Sequence, residues 1–133
     1  MIVVDTNAIA YLLIAGEHTR EAIDVLRKDR DWVAPALWRS EFRSVLTMYM
    51  RQGFLNLPDA AQIMETAELL MQDGEFEVAS FEILKLVSSS RCSSCDCEFV
   101  ALARNLGVPL VTSDGEILDV FPSVAVSPKD FIS

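Results

Sequence analysis

At 133 residues, 51% hydrophobic and 23% charged, the chain has the size and balance of one globular domain around a single core, which excludes a disordered tract. A net charge of −9 excludes the broad basic coat of a DNA-covering or membrane-surface protein, so any nucleic-acid role must work through local charge and bound cations. No apolar stretch approaches the roughly 20 residues needed to span a bilayer. The opening MIVVDTN lacks a basic leader and a long apolar run, so no signal peptide is expected. Cys92, Cys95 and Cys97 fall within six residues and form an odd set, unlike a secreted disulfide framework. The expected setting is a reduced cytoplasm.

In chain order, Ile2–Val4 is a β-branched run ending at Asp5 and reads as a buried parallel strand. Ala8, Ile9, Leu12 and Leu13 form the stripe of a helix over Asn7–Ile14, closed by Gly16. A second helix spans Thr19 to Lys28 with Thr19 as N-cap, and Trp32–Ala34, stopped by Pro35, is the second strand. Leu37–Arg51 is a third helix ended by Gly53, and Pro58 with Asp59 opens a fourth to Gln72. Within it, Ile63, Met64, Ala67, Leu70 and Met71 keep helical spacing, as core or dimer surface. Phe76–Ala79 is the third strand, Ser80 caps a helix through Val87, and Ser94 caps another to Leu106 that Gly107 ends. Val108–Thr112 is the clearest strand after the first, with Ser113-Asp114-Gly115 as its turn. A short helix around Ile117–Val120, a last strand near Val124–Val126 and a polar tail follow. The alternation predicts one α/β domain over residues 1–133, a mainly parallel sheet of four to five strands with helices on both faces.

In open α/β sheets, ligands collect beyond the carboxyl ends of the strands. Asp5 ends the first strand and Asp114 follows the Val108–Thr112 strand, so parallel neighbours would aim both at one rim. Asp96 lies in the first turn of the Ser94–Leu106 helix, where the macrodipole alone stabilises an acid by ~0.3–1 kcal/mol. Glu41 shares a helical face with Leu37, Val45 and Met48, which reads as core-directed. An unpaired carboxylate there loses several kcal/mol in desolvation unless an arginine, a proton or a metal compensates, on the order of the buried-ion penalty. Four converging acids repel one another, and a hard divalent cation removes that penalty while positioning a phosphodiester and activating water.

With these residues in place, the chain resembles the PIN-domain ribonucleases, particularly the VapC-type toxins of toxin–antitoxin pairs. The resemblance rests on the opening I-V-V-D-T-N, on Pro35 and Glu41 ahead of and within the third helix, on D-C-E-F-V-A-L-A-R-N-L-G, and on P-L-V-T-S-D. It implies a PIN-like three-layer α/β/α fold and a metal-dependent endoribonuclease. Carried over by position, Asp5, Glu41, Asp96 and Asp114 are the acidic cluster around Mg²⁺ or Mn²⁺, with Thr6, Asn7 and Thr112 as supporting polar residues. Thr112 would orient a carboxylate or a water. The implied partners are an RNA substrate, a second copy of the chain and a protein antitoxin. Cysteines flank Asp96 where the family has small or aromatic residues.

Other residues carry competing readings. The cysteines read as free thiols near a helix start; a structural zinc site needs about four ligands, and the only histidine, His18, is remote in sequence. His18 reads as a solvated residue ahead of a helix, and Asp119 as a solvent-facing acid. Arg39 and Arg43, beside Trp38 and Phe42, divide evenly between phosphate or partner contacts and a solvated pair. Arg20, Arg91 and Arg104 are further phosphate candidates. The alternative functions are a catalytically silent PIN-fold binding module and a receiver-like signalling domain. The latter wants paired acids after the first strand, where this chain has only Asp5.

Overall fold

Five short strands carry the apolar runs: β1 (Ile2–Val4), β2 (Trp32–Pro35), β3 (Glu75–Phe76), β4 (Leu110–Val111) and β5 (Ala125–Val126). In the computed structural model, which describes all 133 residues, they form one sheet in the order β3-β2-β1-β4-β5, every pair parallel. Val3 aligns with Val33 on one side and Leu110 on the other. Consecutive side chains of a strand point to opposite faces, yet every residue of β1 and β2 is buried. Both faces of the sheet are therefore covered, as an all-parallel sheet requires.

The covering helices are α1 (Thr6–Leu13), α2 (Thr19–Lys28), α3 (Trp38–Arg51), α4 (Leu57–Leu70), α5 (Ser80–Ser88), α6 (Ser94–Leu106), α7 (Gly115–Val120) and α8 (Pro128–Ile132). Trp38 and Phe42 of α3 are fully buried, as are Ala67 and Met71 at the end of α4, so the α4 stripe belongs to the core. From β1 the chain steps outward through β2 to β3, then returns through α5 and α6 to the opposite side of β1. The reversal opens a crevice at the carboxyl ends of β1 and β4, the position where such sheets bind ligands. The 3-2-1-4-5 order also differs from the 2-1-3-4-5 order of receiver-like folds.

Several boundaries differ from the sequence reading, each for a local reason. β4 is shorter than Val108–Thr112 because the Val108 amide closes α6 by donating to Ala103 O, with Gly107 left-handed at φ 66°. β3 begins earlier, at Glu75, and stops at Phe76, because its only partner is β2 and the chain then turns to Ala79, the N-cap of α5. Thr19 lies inside α2 and does not cap it; Ser93, not Ser94, caps α6 through the Asp96 amide. The polar tail contains a further helix, α8, capped by Ser127 and held to α2 by Lys28, which bonds the Phe131 carbonyl and lies 4.7 Å from the Phe131 ring centroid.

Two long-range contacts fix the β2–β3 edge. Arg39 donates to Glu75 (2.6 Å) and to Glu68, with its guanidinium 5.6 Å from the Trp38 ring centroid. This clamp between α3, α4 and β3 corrects the reading of Arg39 as either a phosphate contact or a solvated residue. At Gly74 a Cβ would stand 2.5 Å from the Trp32 carbonyl oxygen, a clash with backbone that no rotamer relieves. Gly74→Ala is expected to destabilise the protein by about 1–3 kcal/mol, in line with other overpacking substitutions. An unchanged urea midpoint would show that β2 moves aside freely.

Candidate active site

All four predicted acids line one open cleft of about 410 Å³, beyond the carboxyl ends of β1 and β4. Thr6 and Asn7 line it too, and Ser44, Val45, Phe99 and Ile117 complete its wall. No lysine, arginine or histidine is among these residues.

Asp5 and Asp114 are positioned by the helices they cap, Asp96 and Glu41 by the first turns of theirs. Asp5 is the N-cap of α1: its Oδ1 accepts from the Ala8 amide at 3.0 Å. Its Oδ2 accepts from the Thr112 hydroxyl at 2.6 Å. The Thr112 oxygen in turn accepts from the Asp114 amide at 3.0 Å. Asp114 caps α7, its Oδ1 accepting from Glu116 and Ile117 amides at 2.9 and 3.0 Å, which leaves Oδ2 without a protein donor. Asp96 sits in the first turn of α6, its amide donating to Ser93 Oγ at 3.1 Å. Glu41 reaches in from α3, with Oε1 accepting from the Thr6 hydroxyl at 2.7 Å.

The environment of Glu41 corrects one expectation. The face it shares with Leu37, Val45 and Met48 is not the core face; Met48 is 47% exposed, and the buried stripe of α3 is Trp38, Phe42 and Leu46. Glu41 is half-buried at the cleft wall, and its direct partner is the buried Thr6, not an arginine.

Burial pushes the Asp5 carboxyl above its ordinary range, a rise opposed by the Thr112 and Ala8 hydrogen bonds and reinforced by Asp114. Burial also raises Asp96, with further increments from the charges of Asp114 and Glu116. Glu98, absent from the sequence reading, is raised by burial and by Glu41. The available signal was a charged residue in the otherwise apolar run C-E-F-V-A-L-A of α6.

Hard oxygen donors with no competing cation suit Mg²⁺ or Mn²⁺. No three carboxylates stand close enough to close on one ion. Mg²⁺ takes one or two carboxylates and keeps several waters, so it does not require an all-protein cage.

The remaining candidates fall elsewhere. Asp119 is exposed and bound by Arg91 at 2.6 Å, and Arg20 is within 3.7 Å of Asp24. Arg91 and Arg20 are thus engaged in ion pairs, whereas Arg43 and Arg104 are exposed. His18 is exposed, ahead of α2, and stacks on Tyr11. The cysteines are free thiols: Cys92 and Cys97 are buried, which raises both, and Cys95 is exposed.

The PIN-domain family model matches residues 2–121. Ribonuclease VapC3 of Pyrobaculum aerophilum is 28% identical over 128 residues, spanning 92% of this chain and 96% of that protein. The crystal structure of PAE2754 from Pyrobaculum aerophilum matches with a TM-score of 0.77 and 19% identity, across 98% of this chain and 85% of that one. A toxin–antitoxin complex from Klebsiella pneumoniae gives 0.69 at 17% identity, covering 96% of this chain and 98% of that one. At these identities the two structures bear on fold alone.

The raised carboxyls have a consequence for stability in metal-free buffer. A folded-state pKa above the unfolded value means that the folded protein holds more protons, so stability falls as pH rises through that range. Asp96→Asn removes the penalty and is expected to raise the thermal midpoint by a few degrees at pH 7. The gain should shrink as the pH is lowered through the raised carboxyl range, where wild-type Asp96 is itself protonated. A lower midpoint in the variant at pH 7 would show that Asp96 supports the fold and is not strained by its neighbours.

Proposed function

Because the chain belongs to the PIN-domain family, we propose that it is a metal-dependent endoribonuclease that hydrolyses RNA phosphodiester bonds, acting as the toxin of a toxin–antitoxin pair. The observation that carries the reading is the cleft itself, where four carboxylates from separate elements face one space without a basic residue. The name of the Pyrobaculum relative supports ribonuclease activity, and the Klebsiella complex supports an antitoxin as partner.

Bound Mg²⁺ or Mn²⁺ would neutralise the acids, polarise the phosphodiester and lower the pKa of water. Asp5, Asp96 and Asp114 would hold the ion directly or through its waters. Thr112 keeps the Asp5 carboxylate turned toward the cleft, and Thr6 does the same for Glu41. Glu41 has its second oxygen free of protein donors, and it would hold the ion or orient the attacking water and take its proton. Asn7, exposed on the cleft rim, would donate to a phosphate oxygen. Water would add to phosphorus in line as the bond to O3′ breaks, the 3′-oxygen taking a proton from solvent, which leaves a 5′-phosphate and a 3′-hydroxyl.

No helix is long and apolar enough to cross a membrane. A reduced cytoplasm suits the three free thiols, and a second copy of the chain is the expected oligomeric partner.

The test is cleavage of a mixed panel of structured and single-stranded RNAs with Mn²⁺, Mg²⁺ or EDTA. Wild type should cut only with metal. Asp96→Asn should lose more than the roughly 10–100-fold that removing an outer-shell partner costs, and Thr112→Val should fall within that range. Well-folded, metal-loaded protein that cuts nothing would favour the silent binding module.

A further inference from the structure

The acid cleft does not end at Glu41. Asn7 and Val45, which border it, also border a second groove of about 310 Å³ between α1, the segment before α2, and α3. One wall of this groove carries Tyr11 and His18, ring centroids 4.6 Å apart and planes tilted by 35°. The other carries Met48 and Tyr49. The proposed chemistry uses none of these four residues. We infer that the groove is a nucleobase subsite, which holds by stacking on the Tyr11–His18 pair the base that adjoins the phosphodiester to be cut. The inference rests on the nuclease reading of the acid cleft.

Continuity supplies the first argument. A base seated against Tyr11 belongs to a strand whose next phosphate can lie over Asn7 and the acids, because the two spaces share residues and need no intervening loop to move. Preorganisation supplies the second. The Thr19 hydroxyl donates to the Tyr11 carbonyl at 2.7 Å and accepts from the Gly16 amide at 3.0 Å. It ties the segment before α2 to the end of α1, so His18 is set beside the Tyr11 ring before any ligand arrives and little ordering cost remains.

Charge and size supply the third. The groove has no lysine or arginine, and its one acid, Glu17, lies 3.4 Å from His18 Nε2. A phosphate meets no lysine or arginine there, whereas a neutral planar base meets aromatic faces, and base–aromatic stacking is the sequence-tolerant part of single-strand binding. The volume lies at the low end of the roughly 300–1,000 Å³ of small-ligand sites, which suits one base and not a run of them. Farther along α3, Arg51 and Gln52 flank a separate hollow that shares Ser44 with the acid cleft, so this cation lies outside the groove.

The test uses single-stranded oligoribonucleotides carrying 2-aminopurine at successive positions, bound to full-length Asp96→Asn protein so that they stay intact. At one position, emission should fall on binding, as for a stacked base. The same sequence in a duplex should show no change in emission on adding protein. Tyr11→Leu and His18→Ala, each added to Asp96→Asn, should weaken binding roughly tenfold, within the range of losing one stacked base, while Tyr11→Phe retains it. His18 is exposed, so its removal leaves the fold intact and keeps the test valid if Tyr11→Leu unfolds. Unchanged emission at every position, with equal affinity in the two variants, would give the groove to a protein segment and overturn the inference. Quenching by Asp96→Asn alongside a wild type that cuts no RNA would leave the subsite standing and remove the nuclease. Cutting without quenching would do the reverse.

Discussion

The hydroxyl of Thr112 joins the two halves of the cleft. It donates to Asp5, at the end of β1, and accepts from the amide of Asp114, at the end of β4, strands that are 107 residues apart in sequence at this contact. Thr112 is 1% exposed, so this oxygen has no water to fall back on, and both of its hydrogen bonds must be made within the protein. The strand order makes the contact available: only because the chain reverses at β1 does β4 lie beside it. The orientation of Asp5, the start of α7 and the shape of the cleft floor follow from that one pairing.

Around it the fold places negative charge where its own amides tolerate it. Asp5 and Asp114 cap α1 and α7, and Asp96 lies in the first turn of α6, so three helix N-termini face the same space. Each such placement is worth ~0.3–1 kcal/mol. Partly burying several carboxylates together costs more, of the order of several kcal/mol per fully desolvated ion. The caps offset part of that cost without removing it: burial first, and neighbouring charge second, still raise the Asp5 and Asp96 carboxyls. On the proposed reading a divalent cation would make up the difference, drawing on the oxygens that the caps leave free.

Much of this was legible in the sequence because it is written in local pattern. β-branched runs ending in Asp5 and Thr112, with glycines closing α3 and α6, gave the parallel sheet and the rim that carries the acids. What was not legible came from contacts remote in sequence. The Thr6–Glu41 hydrogen bond spans 35 residues, and without it the apolar neighbours of Glu41 look like core, although Val45 lines the cleft and Met48 is exposed. Arg39 looked like a surface arginine because Glu68 and Glu75 lie on other elements. Five-residue α8 is too short to show a period, and its anchor, Lys28, is a distant residue. Glu98 gives no such signal in sequence because Glu41, whose charge it feels, belongs to another helix.

The central claim is that the acid cleft exists to hold a divalent cation, and the most direct measurement is the thermal midpoint as a function of Mn²⁺ concentration. A ligand that binds only the folded state stabilises by about 2.7 kcal/mol at a hundred times its dissociation constant. The account predicts a midpoint that climbs with the logarithm of Mn²⁺ concentration in wild type and stays flat when Asp5 and Asp114 are both replaced by asparagine. A wild-type midpoint indifferent to Mn²⁺, or an equal climb in the double variant, would contradict it.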